Sequence, residues 1–179
     1  MKPIISSTGR YLAVSLATIL IFLPGVTMSG SSKLAPGDDF PHFSAIDMAE
    51  NEIDTREYAS GKALILDFWS IYCTSCIQEM PHIVALYNKY KDKGLTVLGI
   101  DMDAFGTRRV SKFLEGLEFE IPYPNIIDKK REIGKLLGVS MLPTTIVIDP
   151  AGKVKMFHVG YKPGFEKELE STILEVLPQ

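Results

Sequence analysis

The sequence predicts an α/β fold in which helices flank a mixed central sheet, with an N-terminal extension and a central insertion. Three observations carry this. Ala63–Trp69 (A-L-I-L-D-F-W), Leu95–Ile100 and Thr144–Ile148 are short, nearly continuous apolar runs, the pattern of strands covered on both faces. Helical periodicity lies between them. The turn Asp149-Pro150-Ala151-Gly152 joins Thr144–Ile148 to Val154–Val159, a link short enough to require an antiparallel pair.

In chain order, residues 1–30 read differently from the rest. Lys2 and Arg10 are their only charges, Tyr11–Met28 is apolar, and small residues follow, which is the pattern of an export signal. Residues 11–28 also reach the lower length limit of a retained membrane anchor, so both fates stay open. Either one places the domain in the periplasm or on the outer face of the cytoplasmic membrane. Residues 31–36 read as a linker and 37–179 as the domain.

Within the domain, Phe43–Asp47 reads as a short edge strand followed by a polar turn. Cys76–Tyr90 is a helix placing Ile77, Met80, Val84 and Tyr87 near one face, with Gly94 as its stop. Val110–Leu117 and Lys129–Leu137 are short helices between the second and third apolar runs. Phe165–Leu177 is a closing amphipathic helix.

Composition narrows the function classes. The chain is 46% hydrophobic and 23% charged, enough for a packed core. Its net charge is −3 and it has no Lys/Arg-rich run, which argues against a nucleic-acid partner. Both of its cysteines lie in one C-x-x-C, whereas a disulfide-stapled scaffold uses more cysteines at wider spacing.

That motif opens a helix directly after a buried strand: Asp67-Phe68-Trp69-Ser70-Ile71-Tyr72-Cys73-Thr74-Ser75-Cys76. Thiolate is the nucleophile, and the free N–H groups and partial positive charge of a helix N-terminus favour it. Cys73 is therefore the expected nucleophile, and Cys76, one turn inward, the resolving thiol. No metal is expected. Structural zinc needs four ligands, and His42, His82 and His158 are scattered; a c-type haem needs a histidine where Ile77 stands. Copper(I) held by the two thiolates is the main chemical alternative to redox exchange.

Phe68, Trp69, Cys73 and Cys76 spell F-W-x-x-x-C-x-x-C; Pro81 follows in the helix. Leu142-Pro143-Thr144-Thr145 and Ile148-Asp149-Pro150-x-Gly152-Lys153 form a second block. On these motifs, the stretch from Gly37 onward resembles the TlpA/ResA-type thiol–disulfide oxidoreductases of the thioredoxin superfamily. The resemblance implies a thioredoxin-like fold with no cofactor beyond the Cys73–Cys76 disulfide. It implies a cis Pro143 facing the disulfide, a Leu142 backbone that pairs with substrate, and Trp69 and Tyr72 at the substrate groove. The residues alone would leave Pro143 a trans turn and Tyr72 a surface aromatic. The resemblance further implies protein thiol or disulfide substrates such as apocytochrome c, and a membrane dithiol donor.

Two acids are candidates for the Cys76 proton: Asp67 in the apolar strand and Glu79 one turn beyond Cys76. Burial raises a carboxyl pKa, which suits a group that takes a proton and returns it. Glu79 also reads as an ordinary solvated helix residue. With Thr74-Ser75 between the cysteines, no neighbouring cation is expected to deepen the Cys73 thiolate, which favours a reductant over an oxidant, and Pro81, lacking an N–H, predicts a helix kink. Other features carry less. Asp101-Met102-Asp103 starts like a calcium loop but has Phe105 and Lys112 at ligand positions. Gly37–Pro41 resembles a peroxiredoxin opening, yet Leu66 stands where the peroxidatic motif has proline, so a peroxidase is the third reading. His82 and His158 read as packing residues.

Overall fold

The computed structural model describes residues 33–178; the expected export signal or anchor (1–30) and the first linker residues lie outside them. The element order is β1 (Ser44–Ile46), β2 (Glu52–Asp54), α1 (Thr55–Tyr58), β3 (Ala63–Trp69) and α2 (Thr74–Tyr90). There follow β4 (Leu95–Asp101), α3 (Thr107–Leu114), β5 (Asn125–Ile127), α4 (Glu132–Leu137), β6 (Thr144–Ile148), β7 (Val154–Val159) and α5 (Phe165–Val176). Among the described residues no helix is long and apolar enough to cross a membrane.

The main sheet runs β5-β4-β3-β6-β7; β3, β4 and β5 are parallel, while β6 and β7 pair antiparallel. The expected mixed sheet is thus present, and α3, β5 and α4 form the insertion between β4 and β6. β1 and β2 make a separate antiparallel hairpin.

Side chains alternate across β3, and this alternation sets up the site. Leu64, Leu66 and Phe68 enter a core with Leu98, Ile100, Leu137 and Ile146. Ala63 and Ile65 face the other way, against Ile83, Leu86 and Tyr90 of α2 and Leu169 and Ile173 of α5. Each such aliphatic side chain stabilises by roughly 1.5–3 kcal/mol on burial. By the same alternation Asp67 and Trp69 point towards α2.

Several boundaries differ from the sequence expectation. α2 starts at Thr74 with Cys73 as its N-cap, and continues as helix through Pro81 to Tyr90. Its buried face is Cys76, Glu79, Met80, Ile83, Leu86 and Tyr90, offset from the predicted Ile77–Val84–Tyr87 stripe. α3 starts and ends three residues early. α4 starts three residues late, at Glu132, because the Asp128 carboxylate accepts from the amides of Glu132 and Gly134, both at 2.8 Å. The short elements β2, α1 and β5 had no counterpart in the sequence reading.

Candidate active site

The site is built where β3 ends and α2 begins. Cys73 takes the extended N-cap conformation (φ −95°, ψ 94°), and the Cys76 amide donates to its Sγ at 3.2 Å. The two cysteines are joined by a disulfide, with Cα atoms 5.2 Å apart. They are unequal: Cys73 is half-buried, while Cys76 is only 1% exposed and packs with Trp69, Met80 and Val110. The sulfur nearer solvent is therefore the one at the end of the helix, where N–H groups favour an anion.

The connecting loop is tied down. Asp103 accepts from Ser70 Oγ and from the Ile71 amide, both at 2.8 Å, and Ser70 Oγ accepts from the Tyr72 amide at 3.1 Å. The Cys73 amide donates to the Ser70 carbonyl. Asp103 belongs to the stretch read as a failed calcium loop, and nothing in the sequence signalled that it reaches back to the redox loop. Beside it, Asp101 is fully buried and pushed up to about 8, first by burial and then by the adjacent Asp103 carboxyl.

Behind Cys76 lies a polar layer between α2 and the sheet. Asp67 pairs with Thr145 on β6 and with Gly99 on β4, and Gly99 pairs with Asn125 on β5. These four positions form one row on one face. Glu79 of α2 meets that row, its Oε1 accepting from Thr145 Oγ1 at 2.6 Å. Both acids are buried, Asp67 at 2% and Glu79 at 1% exposure, so Glu79 is not a solvated helix residue. Burial raises Glu79 to about 7, against the lowering effect of the Thr145 bond. Burial, then the charge of Glu79, raises Asp67 well above the usual carboxylate range.

Trp69 was expected at the substrate groove and stands elsewhere. Its indole is fully buried, with Nε1 donating to Asn125 Oδ1 at 3.1 Å and its ring stacked on Phe113. It underlies the disulfide and cannot touch a docked protein. Tyr72, by contrast, is 63% exposed. Arg109 of α3 donates to its hydroxyl, and the guanidinium lies 4.1 Å from the Phe105 ring centroid. Contrary to the expectation of no neighbouring cation, one stands at the rim of the site, supplied from a distance along the chain by the insertion rather than by the dipeptide between the cysteines. The Leu142–Pro143 peptide is cis; Leu142 packs into the cluster that holds both cysteines, and Pro143 is buried.

Residues 36–157 match the AhpC/TSA family profile. The chain is 33% identical over 150 residues to the thiol–disulfide oxidoreductase ResA of Bacillus cereus, covering 84% of this chain and 83% of that one. Identity to ResA of Geobacillus kaustophilus is also 33%, over 78% of this chain and 79% of the relative. The chain belongs to the ResA-type thiol–disulfide oxidoreductases of the AhpC/TSA family. Among solved structures, the thiol:disulfide interchange protein DsbE of Chlorobium tepidum superposes with a TM-score of 0.74 at 32% identity, over 80% of this chain and 99% of that one. The thioredoxin domain of a Bacteroides vulgatus thiol–disulfide oxidoreductase gives 0.67 at 26%, over 81% and 99%. The fold is thus thioredoxin-like, and the enzyme is a thiol–disulfide oxidoreductase with its C-x-x-C at Cys73 and Cys76.

Proposed function

We propose that this enzyme works outside the cytoplasm as a reductant of protein disulfides, with Cys73 as nucleophile and Cys76 as resolving thiol. The Cys73 thiolate attacks one sulfur of a substrate disulfide; that S–S bond breaks, and the departing thiolate takes a proton. Cys76 gives its proton to the Asp67–Glu79 pair and attacks Cys73 Sγ. The second substrate thiol leaves, two electrons have passed to the substrate, and the Cys73–Cys76 disulfide is restored. A membrane dithiol donor reduces the enzyme again. Tyr72, the Leu142 backbone and the edge of Pro143 receive the substrate chain, for which apocytochrome c thiols are the candidate.

The observation that carries this reading is the inequality of the two sulfurs. Cys73 sits half-exposed at a helix N-terminus, while Cys76 is buried on the same α2 face as Glu79, whose charge reaches Asp67. Those carboxyls disfavour a second anion, so the dithiol form is not over-stabilised as it is in strong oxidants. The membrane-proximal location rests on the basic-then-apolar N-terminal stretch and on relatives named ResA and DsbE.

The test is equilibration with thiol–disulfide buffers, together with trapping. A reductant should have a potential at or below about −200 mV, and a value near −120 mV contradicts it. Cys73→Ser should abolish insulin reduction, and Cys76→Ser should accumulate mixed disulfides whose partners mass spectrometry names. Sluggish exchange with stoichiometric retention of Cu(I) would instead favour a copper chaperone.

A further inference from the structure

The polar layer behind Cys76 contains three buried oxygens without a protein partner: Asp67 Oδ2, Glu79 Oε2 and Tyr123 Oη. Tyr123 lies two residues before Asn125 and is 5% exposed. Its ring meets Tyr87 of α2 edge-on at 5.6 Å, which fixes it on the α2 side of the sheet, the side that Asp67 and Glu79 also face. The neighbouring polar side chains are committed elsewhere. Thr145 Oγ1 donates to Glu79 Oε1, Asn125 Oδ1 accepts from Trp69, and Asn125 Nδ2 donates to the Tyr123 carbonyl. Buried polar atoms rarely stay unpaired, and enclosed water commonly completes them.

Tyr123 also lines an open cavity of about 780 Å³, together with Met48, Leu117, Phe119, Ile121 and Asn125. The cavity lies where the insertion meets the β1–β2 turn, and Met48, Leu117, Phe119 and Ile121 also pack against the cluster that holds Trp69 and both cysteines.

We propose that Tyr123 is a positioning residue of the redox reaction: its hydroxyl, through enclosed water, donates to the Asp67–Glu79 pair and sets how readily that pair takes the Cys76 proton. The inference rests on the reading that this pair takes that proton. A proton leaves Cys76 for a carboxylate of the pair, while Tyr123 keeps its own proton throughout. No electron moves in these steps. Titratable groups around the hydroxyl are Glu79 and Tyr87 on α2, Asp67 on β3, and Asp47, Glu115, Glu118 and Glu120 around the cavity. The negative charges of Asp67 and Glu79 support the same placement, adding to burial in holding the Tyr123 hydroxyl well above its ordinary pKa.

The experiment is stopped-flow oxidation of the reduced enzyme by a small disulfide, followed by Trp69 fluorescence from pH 5 to 9. Tyr123→Phe should fold, since it removes only a hydroxyl. Its resolving step should be roughly tenfold slower near neutral pH, a part of the ~10²–10⁴-fold that a placed acid–base group contributes. The inflection of the acid pair should move to higher pH, because a carboxylate that loses a donor holds its proton more tightly. Alkylation of Cys73 should keep its wild-type pH dependence. A profile superimposable on wild type overturns the inference. If Tyr123→Phe does not fold, Tyr123→Met and the infrared carbonyl band of the protonated acids in the native enzyme decide the matter; an unshifted band in a folded Met variant overturns it. Asp67→Asn/Glu79→Gln separates the levels. If that double variant keeps the wild-type profile, the acid-pair reading itself fails; if only Tyr123→Phe keeps it, the role of Tyr123 alone fails.

Discussion

Thr145 Oγ1 and Glu79 Oε1 lie 2.6 Å apart, so the strand that follows Pro143 grips the acid one turn beyond Cys76. That single bond joins the two halves of the redox site, which the sequence separates by 66 residues. It also means that disturbing the Pro143 strand alters proton handling at Cys76.

Glu79 should leave a mark on stability. It is raised from 4.5 to about 7, with burial as the main cause. A group whose pKa is higher in the folded state holds more protons there. Its stabilisation is complete below pH 4.5 and is lost as pH rises through about 7. The loss across that window is on the order of 3 kcal/mol. Glu79→Gln should flatten urea-unfolding free energies of the oxidised protein over this range. A variant curve parallel to wild type would count against the buried acid.

Asp101 acts in the same direction over a wider window, since it is raised from 3.8 to about 8. Stability should therefore keep falling between pH 7 and 8 after Glu79 has ionised. Asp101→Asn should remove that remaining slope, and thermal unfolding at closely spaced pH values reads it.

The Asp103 tether predicts a combined effect. Asp103→Ala strands two donors, Ser70 Oγ and the Ile71 amide, at a cost of about 1–3 kcal/mol for each one left buried without water. The loop that sets the Cys73 N-cap should loosen, and reaction of Cys73 with a small disulfide should slow. Lowered stability with an unchanged Cys73 rate would show that the tether does not position the nucleophile.

Gly99 predicts a packing failure. A Cβ at this position would lie 2.0 Å from Asn125 Oδ1, the acceptor of the Trp69 indole. Gly99→Ala should cost about 1–3 kcal/mol by overpacking. It should also shift the emission of Trp69, the single tryptophan of the chain, to longer wavelength. Unchanged emission would mean that the Asn125–Trp69 bond survives.

The parts of this architecture that announce themselves in sequence are local. β3, β6 and β7 were legible to the residue, because buried apolar runs ended by turns have few other readings. The cysteine pair was legible because one helical turn sets its spacing. What escaped was set by distance along the chain or by brevity. Asp103 to Ser70, Asn125 to Trp69 and Thr145 to Glu79 depend on sheet register, which no local pattern encodes. β2, α1 and β5 have three or four residues, too few to show a period. The face of α2 was misjudged because its buried stripe contains Glu79, which apolar periodicity counts as polar; a buried acid is invisible to a rule that sorts by hydrophobicity. Trp69 was placed at the groove by its motif, although strand alternation sends it into the core with Asp67.

The most direct test of the account follows both thiols of the fully reduced enzyme. Rapid alkylation from pH 4 to 10, with each cysteine quantified by peptide mass spectrometry, gives separate titrations for Cys73 and Cys76. The account predicts that Cys73 is labelled first, with an apparent pKa well below the ~8.5 of a free cysteine, while Cys76 stays protected until higher pH. Equal labelling of the two sulfurs, both titrating near the free-cysteine value, would contradict it.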